Sequence, residues 1–152
     1  MLFRSCRASS SMPLAAPIAN VDGIPYMDGG LADSIPIEYA LEKGNDKIVV
    51  VLTRNPGYRK KRALKATEQL YKRAYKKYPN LVRAIMTRNA VYNRQMKLIE
   101  KLEEEGKIFV IRPLIPTVSR MEQDYDKLQH FYMHGNRLMK KEYQGLLEYL
   151  NE

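Results

Sequence analysis

The chain has 152 residues, the size of one domain and enough to bury roughly 70% of the surface its unfolded form exposes. With 45% hydrophobic and 28% charged residues the composition reads as globular, and with no apolar run near the ~20 residues a membrane-spanning helix needs, it excludes such a span and predicts a soluble protein. A formal net charge of +9 brings anionic partners into question, nucleic acid or phospholipid headgroups, while a single cysteine, Cys6, excludes an internal disulfide and points to the cytoplasm.

The opening, Met1 to Arg7, lacks the long apolar stretch of a secretory signal, and Pro13 follows too soon for a transit peptide. Residues 4–12 read as a short helix stopped at Pro13. Ala19 to Val21 and Ile24 to Met27 read as two strands of a hairpin, because Asp22-Gly23 between apolar neighbours is a two-residue turn that suits the twist of paired strands. Asp33 and Ser34, Pro36, Glu38 and Gly44 then supply the cap, first turn, first-turn acid and stop of a helix over about 35–43.

Lys47 to Thr53 is a continuous β-branched run between turn residues, and it predicts a strand buried on both faces. From Arg62 the period becomes helical. Leu64, Tyr71, Ala74, Tyr75 and Tyr78 mark one amphipathic helix ending at Pro79, and Leu81, Ile85, Tyr92, Met96, Ile99 and Leu102 mark a second ending at Gly106. Ile108 to Ile111 reads as another buried-type strand, and apolar residues from Leu128 to Leu150 mark one or two last helices. Helices alternating with buried strands give the α/β class.

The chemical candidates are few. Asp28-Gly29-Gly30 lies between a strand and a helix, where two glycines permit backbone angles closed to other residues and leave a carboxylate at the mouth of a sheet; taken alone, it is also an ordinary turn. His130 and His134 are four apart and share a helix face, but the position after His130 is Phe131, not the Glu of a metalloprotease, and nothing nearby completes a zinc site. Both read as ordinary helix residues, and no metal or cofactor is expected. Cys6 stands between Arg4 and Arg7 without a partner base, which reads as a buried, inert thiol. Ser9, Ser10 and Ser11 are not in a Gly-x-Ser-x-Gly frame, and the 152 residues contain no such pentapeptide.

The positive charge concentrates between Arg54 and Arg94, notably in Arg59-Lys60-Lys61-Arg62, Lys65, Lys76 and Lys77. Interleaved Tyr71, Tyr75, Tyr78 and Tyr92 invite a nucleic-acid reading, with lysines on phosphates and rings on bases. Helical spacing places those tyrosines on the buried stripe and the lysines opposite, a solvated face, so no sequence-specific nucleic acid is expected. The same face, residues 59–94, remains able to rest on an anionic membrane by Coulomb attraction.

Taken as one phrase, residues 7–54 resemble the patatin-like phospholipases, in particular bacterial acyl hydrolases with a helical C-terminal extension. The features that carry this are Ala8-Ser9, Pro13, Gly23, Tyr26 and Asp28-Gly29-Gly30, then Asp33 with Pro36, and the strand Ile48 to Leu52. "RNPGYRKK" at 54–61 and "DKLQHFYMHG" at 126–135 look like later landmarks, so the resemblance runs strongly over 7–62 and more loosely beyond. It implies a serine hydrolase with a Ser-Asp dyad, Asp28 taking the serine proton directly as general base and Gly29 and Gly30 allowing the carboxylate to reach the serine. The implied substrate is a phospholipid or other acyl ester.

The family's Gly-rich oxyanion loop and nucleophile elbow lie upstream of residue 1 in this frame. The resemblance therefore implies the C-terminal part of an enzyme, truncated or completed by a separate N-terminal half, and inactive alone. Its fold is an incomplete three-layer patatin-like core, part of a mostly parallel sheet with a hairpin, plus C-terminal helices. Residues 1–56 would carry the Asp-Gly-Gly part of the core and 57–152 the helical region with one further strand. Missing neighbours would expose sheet edge and favour oligomers. The competing reading is a non-catalytic basic module that binds anionic lipid or nucleic acid through residues 59–94; either way the expected location is cytoplasmic, with membrane-peripheral contact through that face.

Overall fold

A computed structural model describes residues 2–61, 64–119 and 121–151, apart from the side chains of Leu2 and Lys65. Arg62 of the basic run lies outside the described residues. The described residues are mixed α/β, with two small sheets and several helices, and they divide into two compact units. The first comprises residues up to Pro36 with Lys60–Gln95, and the second Ile37–Arg59 with residues from Met96 onward.

In the first unit, α1 (Leu2–Ser9) packs on β1 (Ala19–Val21), which pairs antiparallel with β2 (Ile24–Tyr26). The hairpin forms as expected. Asp22 and Gly23 have φ of 53° and 84°, the two left-handed residues of a type I′ turn, and Asn20 Oδ1 accepts the Gly23 N–H at 2.9 Å. Pro25 opposite Asn20 has no N–H to give, which suits a strand of a two-stranded sheet. The serine cluster closes α1: Ser10 Oγ donates to the carbonyls of Cys6 and Arg7, and buried Ser11 donates to Arg7 O at 2.8 Å. Cys6 itself is exposed, not buried, because α1 turns only Ala8 fully inward among its described side chains.

Helices α3 (Lys65–Ala74) and α4 (Pro79–Glu104) follow the predicted spacing, with Pro79 at the first position of α4, where its missing N–H costs nothing. The stripe on α3 is weaker than predicted: Leu64, Ala74 and Tyr78 are exposed, and Tyr71 and Tyr75 are half-buried. Tyr75 is held by a stacked Tyr71 and by the Leu14 N–H, which donates to its hydroxyl at 2.8 Å. On α4, Asn93 grips Lys60 through both backbone groups at 2.9 Å, and Asn89 donates to Lys61 O. Two asparagines one turn apart therefore hold an extended segment that has no ladder of its own.

The second unit contains α2 (Ile37–Glu42), shorter than the predicted 35–43, and β3 (Val49–Val51), parallel to β4 (Phe109–Ile111) with Val50 opposite Val110. β3 is not buried on both faces. Val50 is buried, while Val49 and Val51 are 40% and 70% exposed, so only one face is covered. The second half of α4 ends at Gly106 (φ 68°) with the Lys107 N–H returning to Leu102 O at 2.9 Å, the six-to-one bond of a Schellman end.

One helix, α5 (Tyr125–Asn151), fills the last segment and packs on β4. Asp124 caps it, accepting the Lys127 N–H at 3.2 Å; that bond, with the Lys127 ammonium beside it, holds the Asp124 carboxyl below its ordinary value. At the other end buried Tyr149 closes the parallel pair. Its hydroxyl accepts the Ile48 N–H at 2.9 Å and donates to Lys107 O at 3.0 Å, while its ring lies against Phe109.

Candidate functional site

Asp28 follows β2 directly, and its position is fixed by backbone on both sides. Its N–H donates to Ser11 O at 3.0 Å, which ties it to the end of α1, and Oδ1 accepts the Gly30 N–H at 2.8 Å. With φ −49° and ψ 121°, Asp28 is the cap of a single 3₁₀ turn, Gly29–Leu31, whose Leu31 is buried. The carboxylate is half-buried, so solvent or a reacting group can still reach it.

The two glycines serve a different purpose from the one predicted. Neither Gly29 nor Gly30 has positive φ, so the backbone angles here are open to any residue. Space is tight only at Gly30: a Cβ there would stand 3.1 Å from Asp28 Oδ1, so the carboxylate would have to shift by a few tenths of an ångström, while Arg88 Nη2 at 3.9 Å would be in ordinary contact. Gly29 has open space around it.

Two α4 side chains complete the surroundings of this turn. Gln95, 1% exposed, accepts the Ile35 N–H at 3.2 Å through Oε1 and donates to Asp33 Oδ1 through Nε2. Asp33 thus bonds to α4, and Ser34, whose hydroxyl donates to Gly30 O at 2.9 Å, closes the same turn. Arg88 presents its Nη2 to Gly30, and its Nε is buried with no hydrogen-bond partner. An orphaned buried donor costs roughly 1–3 kcal/mol, more on a charged group.

Neither Arg88 nor Gln95 stands out as a candidate in the sequence, yet a signal is there. Leu81, Ile85, Tyr92, Ile99 and Leu102 keep a regular three-four alternation that leaves two stripe positions, 88 and 95, and both are polar. Polar residues at buried-stripe positions are the informative exceptions on a helix.

The other candidates have structural roles or none. His134 Nε2 accepts the Leu114 N–H at 3.1 Å, and His130 is exposed. Among the described residues no three His, Cys, Asp or Glu could hold a metal. The "RNPGYRKK" segment staples the loops after β3 and β4: Asn55 donates to Pro113 O and Ile115 O, and Arg54 to Thr117 Oγ1. Further along, half-buried Arg112 pairs with Glu103 beside a cavity of about 330 Å³ walled by Pro56, Val110, Ile111 and Leu138. In the basic run Tyr92 is buried under the Lys60 ammonium, while Arg73, Lys76, Lys77 and Arg83 are exposed. No described helix is long and apolar enough to cross a membrane.

Comparison with known families narrows the resemblance. Residues 2–41 match the sequence model of the patatin-like phospholipases, and residues 78–151 match that of a domain of unknown function, DUF6363. The patatin-like match includes α1, the hairpin, Asp28-Gly29-Gly30 and most of α2. It ends before β3, so the landmarks at 54–61 and 126–135 lie outside it, and the second falls within the other domain. No curated protein matches the chain. What the comparisons give is a short stretch related to lipid hydrolases, carrying Asp28, in a chain whose C-terminal half is similar to a different family.

Proposed function

We propose that Asp28 is the general base of a Ser-Asp dyad in a patatin-like acyl hydrolase acting on phospholipid or related esters. In this reading residues 1–56 carry the Asp-Gly-Gly part of a catalytic core and 57–152 a helical extension of the bacterial type. The observation that carries it is the fixed carboxylate: within the segment that matches the phospholipases, Asp28 is tied through its N–H to Ser11 and through one oxygen to Gly30, and stays half-buried. A carboxylate held this way needs no further ordering before it accepts the proton of an attacking serine.

The serine must come from a Gly-x-Ser-x-Gly segment that the 152 residues do not contain. Ser10 and Ser11 cannot stand in, since their hydroxyls are committed to the last carbonyls of α1. Oxyanion donors are needed as well, each worth on the order of 3 kcal/mol in the transition state.

The reading makes a paired prediction. The 152-residue chain alone will not react with a fluorophosphonate probe; stoichiometric labelling of a serine in it contradicts the dyad. When a polypeptide bearing the nucleophile elbow is joined or added, Asp28→Asn lowers hydrolysis of a short-chain ester by about 10²- to 10⁴-fold. Near-normal turnover of that variant removes Asp28 from the mechanism.

A second reading has its own observation, the exposed Arg73, Lys76, Lys77 and Arg83 in the first unit. These would hold an anionic membrane surface without sequence readout. Binding to phosphatidylglycerol vesicles should then fall steeply with added salt, and no binding at low ionic strength eliminates it.

A further inference from the structure

The second unit holds a cavity of about 330 Å³ where its parallel strand pair ends. Pro56 after β3, Val110, Ile111 and Leu114 in and after β4, and Leu138 of α5 form its apolar walls. In open α/β sheets ligands sit outside the carboxyl ends of parallel strands, and Arg112, the first residue beyond β4, lines this cavity too.

Three charged side chains share the lining, and they do not cancel. Arg112 is taken by Glu103, which leaves that pair neutral. Glu142, one turn beyond Leu138 on α5, is half-buried and forms no hydrogen bond or ion pair among the described residues. The cavity therefore carries one uncompensated negative charge beside side chains that cannot solvate it. Glu103 adds a second acceptor, because its Oε2 meets Arg112 while its Oε1 has no partner among the described residues.

These charges sort the occupants. An anion would meet two carboxylates and a guanidinium already engaged. A neutral apolar molecule would dry the Glu142 carboxylate and bring it no donor, which is costly. A cation with an apolar body answers both demands, and an N–H donor that carries charge bonds to a carboxylate about twice as strongly as a neutral pair does. The net charge of +9 repels cations at long range, so such binding has to arise at the cavity itself.

We propose that this cavity binds a small organic ammonium, with its N–H groups on Glu142 and the free oxygen of Glu103 and its apolar body against Val110, Leu114 and Leu138. Apart from Pro56, the lining lies within residues 78–151, the stretch that matches DUF6363, and the site does not depend on the role given to Asp28.

The test is an NMR titration of the 152-residue chain that follows the Ile111 and Leu114 amides and the Leu138 methyl groups. The probes are benzylammonium, neutral benzyl alcohol and anionic benzoate, at constant ionic strength. Benzylammonium should shift these signals saturably and bind at least about tenfold more tightly than the other two, with the hairpin amides from Ala19 to Tyr26 unmoved. An equal response to benzyl alcohol, or tighter binding of benzoate, overturns the proposal. Nα-acetyl-lysine methylamide carries the same ammonium on a peptide side chain, and tighter binding of it than of benzylammonium overturns the small-molecule reading in favour of a lysine from a protein partner.

Glu142→Gln keeps the size of the side chain and removes its charge, so it should weaken benzylammonium binding at least about tenfold and leave benzyl alcohol unchanged. Glu148→Gln removes the same charge from an exposed position of α5 outside the cavity and should change neither. Equal losses in the two variants mean general attraction to the charge of α5 and overturn the site, as does unchanged binding in Glu142→Gln. Glu142→Asp, which withdraws the carboxylate by one methylene, serves where the glutamine variant does not fold. It should bind benzylammonium more weakly than the original chain, and unchanged binding there overturns the proposal as well.

Discussion

The two units solve one structural problem with different chemistry. In each, short or irregular backbone has polar groups that no sheet ladder satisfies, and a helix supplies a side chain to meet them. The second unit uses Tyr149, which bonds to Ile48 and Lys107 at the start of both parallel strands and also buries its ring against Phe109. The first uses amides, with Gln95 on Ile35 and Asp33 and Asn93 on Lys60. A tyrosine combines apolar burial with a polar tip. A glutamine brings little beyond its hydrogen bonds, and what it fixes is the turn that follows Asp28. The unit with the stronger hydrophobic anchor carries the parallel strands, and the unit held by polar clamps carries the candidate chemistry.

The largest expected effect tests that contrast in the second unit. Tyr149→Ala removes both the ring and the hydroxyl and should cost about 3–5 kcal/mol, the range for deleting a buried aromatic. Tyr149→Phe keeps the ring and should cost about 1–3 kcal/mol for the backbone groups left unmet. Denaturant unfolding measures both, and exchange of the Phe109 and Leu52 amides, which bond across the strand pair to Ile48 and Ile111, reports the local loosening. If the two variants are equally destabilised, the ring contributes nothing and the contrast between the anchors fails.

How far such features could be read in advance depended on whether the signal was local. The Asp22-Gly23 turn, the Gly106 stop and the stripe of Tyr92, Met96, Ile99 and Leu102 are properties of a few neighbouring residues, and the structure bears them out. The run Ile48 to Leu52 forms a strand, but its period cannot say whether anything covers the second face, and exposed Val49 and Val51 show that only one is covered. The exposure of Cys6 escapes its neighbours for the same reason, since burial depends on which side of α1 meets β1. The place of Asp28-Gly29-Gly30 after a strand was legible. The tight approach of Asp28 Oδ1 to Gly30 was not, because it depends on how the carboxylate folds back onto the turn.

The smaller effect belongs to Gln95, and it decides whether polar clamping matters to the site. Gln95→Met keeps the length of the side chain and fills the same buried volume, so the packing of α4 should survive. What it removes is an acceptor for the Ile35 N–H and a donor to Asp33, a loss of about 1–3 kcal/mol if those groups stay buried and unmet. Part of that loss will be recovered, because exposed Asp33 can turn to water while the half-buried Ile35 amide has less freedom to do so. Stability alone therefore understates the change. The sharper readout is the Gly30 amide, whose bond to Asp28 Oδ1 lies at the head of the segment that Gln95 pins. A shift of that amide with little loss of stability means that Gln95 serves the geometry of the Asp28 turn more than the fold. An unmoved Gly30 amide with the full loss of stability makes it a fold anchor like Tyr149, and the distinction between the two units disappears.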